Sequence, residues 1–402
     1  MLHYCKNIFN ALVKIIMNNS STYDLIVIGS GILGTFHALH AARLGKKVLL
    51  TEKDQYPISA TVRNFGQVVT SGMSSDWLPY AIKTAELYKD IQQEFDISVR
   101  NNGSVYLASD PEELQLAHEL KERMDTFGYQ AELLSAKDCL AKWPALSDQY
   151  CKGGIFFPQE LSVEPDKLIY RLIKYAVTKY PKLTYKPATA IVDCEVIGDH
   201  VEVTTSTKQK FTTDKVVICN GGEYKLLFAD HFKNSGIILC KLQMMRTVPM
   251  PEVQLEGNIL TGLSIRRYES FQECPSFAKL TTPERYAELK KWGVHILFKK
   301  TVDGSIIIGD SHEYADVNHS DDLSFNINNH LNELMLKEAQ NIVGFDVSKI
   351  ASTWAGVYPQ HNSRHVVELD IESRIHIRTA IGGKGMTCAG GYAEASIHGI
   401  YN

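Results

Sequence analysis

The sequence predicts an α/β protein in two lobes: a doubly wound lobe, split in the chain, with a mixed or antiparallel sheet lobe inserted into it. Three observations carry this. The chain of 402 residues is longer than one ordinary core supports. Short β-branched runs alternate with helical patterns near the N-terminus and again after residue 350, the mark of an α/β layer structure. Between these stretches the pattern changes to strand-like runs joined by polar loops.

The elements follow in chain order. Tyr23–Ile28 reads as a buried strand, Leu33–Leu44 as a helix and Lys47–Leu50 as the next strand. In Ser75–Phe95, apolar residues recur at Leu78, Ala81, Ala85, Tyr88, Ile91 and Phe95, a helical period. Asp110-Pro111 opens another helix, a cap followed by a first-turn proline, and Pro165–Lys179 is a further one. Leu239–Val248, Asn258–Arg267, Gly293–Lys299 and Ser305–Gly309 read as strands of the inserted lobe. Near the end, Arg374–Thr379 reads as a strand and Met386–Ile397 as a helix.

The totals exclude several function classes. A formal net charge of -4 leaves no basic footprint for nucleic acid. The eight cysteines form no CxxC and none stands at metal-ligand spacing from a histidine, so no metal site is expected. Scattered cysteines suit reduced thiols and a cytoplasmic setting. Tyr4–Met17 is apolar but carries Lys6 and Lys14 and is too short to span a bilayer, so residues 1–21 read as an extension. No other long apolar run suggests an integral membrane segment.

The stretch VIGSGILGTFHALHAARLGKKVLLTE carries the most chemistry. Gly29, Gly31 and Gly34 form GxGxxG between a strand and a helix. This is the Rossmann-type fingerprint. The first glycine permits the turn, the second lets backbone approach a pyrophosphate, and the third lets the helix pack on the strand. The anion then sits at the helix N-terminus. Glu52 ends the second strand, where a carboxylate accepts ribose hydroxyls and repels a 2′-phosphate. ADP-ribose of FAD or of NAD fits this unit equally.

Two further stretches bear on that choice: VVICNGG (Val216–Gly222) and IGGKGMTCAGG (Ile381–Gly391). With the N-terminal unit, they resemble the D-amino acid oxidase type of FAD-dependent oxidoreductase, which includes glycine oxidase and sarcosine oxidase. Matching pieces in order are SATVRNFGQ (Ser59–Gln67), LSVEPDKL, TAIVDCEV (Thr189–Val196), DGSIIIGD and WAGVYP (Trp354–Pro359). The resemblance implies an FAD-binding lobe of residues 22–96, 158–222 and 340–402 and a substrate lobe of 97–157 and 223–339. It places Glu52, with Lys53 beside it, at the adenosine ribose. Ile191 falls at the adenine, and Ile32, Leu33, Asn220 and Gly221 by the pyrophosphate. Ala60, Thr61, Asn64, Phe65, Gly66 and Gln67 run along the isoalloxazine edge. Gly383, Lys384, Gly385, Met386 and Thr387 approach the flavin's pyrimidine edge. Residues 355–375 hold no cysteine to attach a flavin, so the FAD is expected to be non-covalent.

The activity implied is oxidation of an amine by hydride transfer from the carbon bearing nitrogen to flavin N5, with oxygen or another electron carrier as acceptor. Glycine oxidase-like members carry an arginine just before the proline of WAGVYP; here that position is Tyr358. A tyrosine cannot supply the bidentate charged fork that a carboxylate prefers. Arg63, Tyr358, His361 and Arg364 are therefore the expected substrate-binding groups, with His365 and Arg246 as further cations. Arg266 and Arg267 are expected side by side on a strand, so that only one faces the site. RNFGQ with this tyrosine is similar to a bacterial subgroup associated with phosphonate metabolism. That favours an aminophosphonate, 2-aminoethylphosphonate-like or its 1-hydroxy or N-methyl derivative. The alternatives are an amino acid oxidase or dehydrogenase (glycine, sarcosine or a D-amino acid), a plain NAD dehydrogenase, and a non-catalytic flavin-binding module. A homo-oligomer is compatible with all of them.

Overall fold

A computed structural model describes residues 22–402; the reading of residues 1–21 lies outside them. Two large sheets organise the chain. In the eight-stranded sheet, Thr22–Ile28 pairs in parallel with Val48–Thr51 on one side and Lys210–Ile218 on the other. Leu183–Lys186 and Ile375–Thr379 extend the parallel array at its two ends, and Val367–Ile371 adds an antiparallel edge. Thr22–Ile28 is buried on both faces along its second half, so its run LIVI is apolar without alternation. The hairpin Ile191–Ile197 and His200–Thr205 hangs off Lys210–Ile218.

Helices cover this sheet. Ile32–Arg43 is buried at every position but its last, because the sheet lies on one side and the C-terminal helix Gly385–Tyr401 on another. That explains an apolar composition around the whole helix. Phe36, Leu39 and Ala41 are fully shielded there, each large side chain contributing about 1.5–3 kcal/mol of transfer free energy. Leu78–Glu94 and Pro165–Lys179 complete the same apolar layer.

The nine-stranded sheet runs in the order Glu313–Asp316, Ile237–Thr247, Ile306–Gly309, Leu297–Lys300, Asn258–Leu260, Ser104–Ala108, Gly153–Phe157, Glu132–Ser135. Two expectations are corrected here. The strand Ile350–His361 pairs along Ile237–Thr247, from Ile237 opposite His361 to Thr247 opposite Ile350. It therefore belongs to the second sheet, although residues 340–402 were grouped with the first lobe. Asn258–Arg267 is not one strand. Only Asn258–Leu260 pairs, because Thr261 and Ser264 form a capping box that starts the short helix Gly262–Ile265.

Candidate active site

The GxGxxG turn places the helix Ile32–Arg43 with its N-terminus free. Gly31 caps it with extended backbone and no side-chain acceptor; Ile32 N donates to Thr61 Oγ1 at 3.0 Å instead. Gly29 stands at φ +96°, where a Cβ would lie 2.3 Å from Cys219 O, and a Cβ on Gly34 would lie 1.9 Å from Gly29 O. These two glycines are required by backbone packing. Gly31 differs: a Cβ there would meet only the Thr61 hydroxyl, at 3.2 Å.

That helix start opens on a cavity of about 610 Å³ whose wall is drawn from both sheets. Ile32 and Leu33, the loop Ala60–Gln67, Gly221, the end of strand Ile350–His361 and the turn Ile381–Thr387 contribute to it. Within the loop, Asn64 serves its own backbone: Nδ2 donates to Thr61 O at 2.6 Å and Oδ1 accepts from Gly66 N at 2.7 Å. Gln67 Nε2 donates to Phe298 O at 3.1 Å, tying the loop to the second sheet. At the other end of the chain, the turn Gly382–Lys384 leads into helix Gly385–Tyr401, again without a side-chain cap. A Cβ on Gly383 would meet nothing within 4 Å, and one on Gly385 would touch Ile32 at 3.4 Å. Two helix starts whose own N-cap residues give no side-chain acceptor thus lie side by side at one cavity, an arrangement that favours an anion.

Of the other cofactor candidates, Gly221 is on the cavity wall, and Glu52, Lys53, Ile191 and Asn220 lie off it. Glu52 is buried; its Oε2 accepts from Ser30 N and Ser30 Oγ, both at 3.0 Å, and Oε1 accepts from Asp54 N at 3.2 Å. An ionised carboxylate still has lone pairs for a ribose hydroxyl after these. Lys53 pairs with Asp54 at 2.8 Å. Ile191 is a core side chain packed with Tyr23 and Val203. Asn220 donates to Glu223 O, and its Oδ1 is buried with no partner, an acceptor left waiting for a donor. Gly221 adopts φ +57° with open space around it.

The substrate candidates separate. Arg63 is exposed and off the wall; its guanidinium holds Ile58 O at 2.8 Å and Ala355 O at 3.2 Å. The Tyr358 ring lines the cavity, but its hydroxyl donates to Arg63 O at 2.9 Å and is not free to donate to an acid. His361 lines the cavity with Nδ1 accepting from Ser363 N at 3.0 Å. Arg364 is an exposed part of the same wall. His365 lies between Asp76 (3.5 Å) and Glu269 (3.8 Å), and Lys384 pairs with Glu269 at 2.7 Å. Arg246 pairs with Asp303 at 2.6 Å, away from the cavity.

Arg266 and Arg267 do not sit on a strand but follow the helix Gly262–Ile265. Arg266 turns to the acidic start of the helix Pro111–Thr126, where it binds Glu113 at 2.5 Å and Asp110 at 2.6 Å. Arg267 turns into the cavity, where its hydrogen bond goes to the Tyr314 hydroxyl at 3.2 Å rather than to a carboxylate. Near it stand three wall residues that sequence reasoning passed over: His295, Asp310 and His312. Burial would raise the Asp310 carboxyl, but the charge and hydrogen bond of His295 and the charge of Arg267 outweigh it and hold it below the usual range. Burial pushes His312 down to about 3, so its imidazole is neutral.

The sequence profile of a family described as FAD dependent oxidoreductase matches residues 24–397, nearly the whole described chain. The chain belongs to the FAD-dependent oxidoreductase family. Among curated proteins it is 24% identical to monomeric sarcosine oxidase from Streptomyces avermitilis over 216 residues, 52% of this chain and 55% of that protein. It is 28% identical to gamma-glutamylputrescine oxidoreductase from Escherichia coli over 169 residues, 37% of this chain and 39% of that protein. The matches thus span about half or less of these relatives' own lengths. Glycine oxidase from Geobacillus kaustophilus shares the fold, with a TM-score of 0.74 at 16% identity over 94% of each chain. L-proline dehydrogenase from P. horikoshii does so too, with a TM-score of 0.74 at 18% identity over 94% of this chain and 92% of that one.

The cofactor of this FAD-dependent oxidoreductase suits the cavity on the features above: two helix starts whose N-cap residues give no side-chain acceptor, glycines a Cβ would crowd or leave open, and an orphaned acceptor on Asn220. Among the described residues, no helix is long and apolar enough to cross a membrane.

Proposed function

We propose that this oxidoreductase oxidises a small acidic amine at the carbon bearing nitrogen, with an aminophosphonate as the favoured substrate. Non-covalently held FAD, when bound, supplies the hydride acceptor. The chain's own residues hold and exclude. The backbone of Gly31–Leu33 and of Gly383–Thr387 offers N–H groups to anionic parts of the cofactor, and Glu52 receives its ribose. Thr61, which already holds Ile32 N at 3.0 Å, fixes the loop against the first helix start.

The observation that carries the substrate class is Arg267. It is a cation on the wall of the cavity shared with both glycine turns, and its partner is a neutral hydroxyl. It stands ready for a substrate anion, with His361 and Arg364 further along the same wall. Tyr358 occupies the place of a carboxylate-binding arginine and spends its hydroxyl on Arg63 O. With a tyrosine there, the wall presents donors from separate places, Arg267, His361 and Arg364, and such a spread suits the three oxygens of a phosphonate. Hydride loss leaves an imine, and its hydrolysis by water gives an aldehyde and ammonia, or methylamine from an N-methyl substrate.

Anaerobic bleaching of the yellow holoenzyme tests this. A panel of 2-aminoethylphosphonate, its 1-hydroxy and N-methyl derivatives, glycine, sarcosine and D-alanine is added in turn. The phosphonates are expected to bleach the flavin fastest, and Arg267→Ala to raise their KM about tenfold or more, the loss of one charge-assisted contact. Bleaching by sarcosine or glycine alone would replace the phosphonate reading with amino acid oxidation.

A further inference from the structure

His295, Asp310 and His312 form a constellation that amine oxidation does not require. His295 precedes the strand Leu297–Lys300, and Asp310 and His312 follow its antiparallel partner Ile306–Gly309. Past the strand ends the ladder shifts by one residue: His295 N donates to Asp310 O at 3.0 Å, and Asp310 N donates to His295 O at 2.7 Å. The two side chains therefore start from a hydrogen-bonded backbone pair. One nitrogen or oxygen from each of the three residues lies within 4.8 Å of the others. Their exposures are 4%, 6% and 9%, so all three are nine-tenths buried or more.

The far side of each ring is already held. His312 Nδ1 lies 2.7 Å from Gly293 O, a carbonyl that can only accept, so the proton is on Nδ1 and the lone pair on Nε2. His295 Nδ1 lies 3.1 Å from the buried Ser264 hydroxyl. This is the outer-shell arrangement that orients histidines as metal ligands. On the near side, His295 Nε2 and Asp310 Oδ1 approach to 2.7 Å. That contact is a hydrogen bond whose shared proton holds the place a cation would take, since metal ligands must give up their protons.

We propose that His295, Asp310 and His312 bind a divalent transition-metal cation on the cavity wall. Two imidazole nitrogens and one carboxylate oxygen suit zinc(II), cobalt(II) or iron(II) better than magnesium or calcium, which prefer all-oxygen sets. Three protein ligands leave coordination open, and the cavity is the open side. Arg267 lines the same cavity, so a filled site would add to its positive charge. A filled site therefore attracts any anion that enters. The proposal concerns the cation alone and stands whichever amine the cavity takes.

The test uses the full-length holoenzyme, stripped with chelator, its FAD content checked by absorbance, and titrated with zinc chloride by calorimetry. About one equivalent per chain is expected to bind, and magnesium chloride to give no such signal. Asp310→Asn and His312→Gln retain shape and a hydrogen-bonding group; each should weaken zinc affinity about tenfold or more while flavin content and circular dichroism stay as in the unaltered protein. Cobalt(II) should give d–d absorption bands that both variants lose. Absence of stoichiometric zinc binding by the unaltered protein, or equal binding by the two variants, overturns the proposal.

Discussion

The chain makes the same local construction twice, strand then glycine turn then helix, and the two versions differ in what the glycines face. At Gly29–Gly34 the missing side chains admit backbone: Cys219 O and Gly29 O stand 2.3 and 1.9 Å from where a Cβ would be. At Gly382–Gly385 they admit space: around Gly383 nothing lies within 4 Å, and Gly382 needs its freedom for φ +64°. In the first turn Gly29 and Gly34 are filled by the fold itself and Gly31 alone faces the cavity, whereas the second turn is left open toward it. Glycine content alone does not separate these cases. The neighbours do. The second turn also runs on into Gly390 and Gly391, which return to packing: a Cβ on Gly391 would lie 2.4 Å from Tyr80 O.

The contrast can be broken by substitution. Gly34→Ala should be the most damaging, costing about 4 kcal/mol or preventing folding outright, because backbone rather than a movable side chain occupies the space. Soluble expression and urea denaturation measure it. A stable, flavin-loaded G34A protein would show that the first turn is not closed. Gly383→Val should behave oppositely. The apoprotein is expected to keep its stability within about 0.5 kcal/mol. Flavin occupancy after gel filtration should drop severely, and full occupancy would remove the ligand-facing reading of the second turn.

Two smaller changes sharpen the picture at the first turn. Glu52→Gln keeps volume and one acceptor for Ser30 but removes the charge. FAD affinity should fall about tenfold, the size of one charge-assisted hydrogen bond, as read by fluorescence titration of the apoprotein. Unaltered affinity would separate Glu52 from the cofactor. Thr61→Val removes the acceptor for Ile32 N and should cost about 1 kcal/mol in the apoprotein, as loss of a cap does. Differential scanning calorimetry with and without FAD should show that deficit narrow in the holoprotein if the cofactor serves the same N–H. A deficit identical in both would place the cofactor elsewhere.

The N-terminal unit was legible because its demands are local: a tight turn, a close approach and a carboxylate one strand further on. The strand Ile350–His361 was assigned to the wrong lobe for the opposite reason. Its partner, Ile237–Thr247, lies more than a hundred residues away, and nothing in the segment WAGVYP announces that pairing. The break after Leu260 was readable in retrospect, since Thr261 and Ser264 stand at capping-box spacing before a turn. Missing it turned Arg266 and Arg267 into strand neighbours when they separate around a helix end. Arg63 looked like a site residue from its motif, but only the fold shows its guanidinium closing off two carbonyls. The trio His295, Asp310 and His312 is not legible from spacing, because its members meet only where two strands pair. The hairpin of Leu297–Lys300 with Ile306–Gly309, continued in register, would set His295 opposite Ser311, and only a one-residue shift beyond the strands brings it to Asp310.

Every cysteine from Cys139 to Cys388 is a free, buried thiol. Cys194, Cys219 and Cys388 lie in or against the parallel sheet and its helices, whereas Cys139, Cys151, Cys240 and Cys274 lie in the other half. A thiol reagent can reach them only when the surrounding structure opens. The molecule thus carries clocks in both halves, and peptide mapping after brief alkylation would report which half breathes first, and whether bound flavin slows one set and leaves the other unchanged.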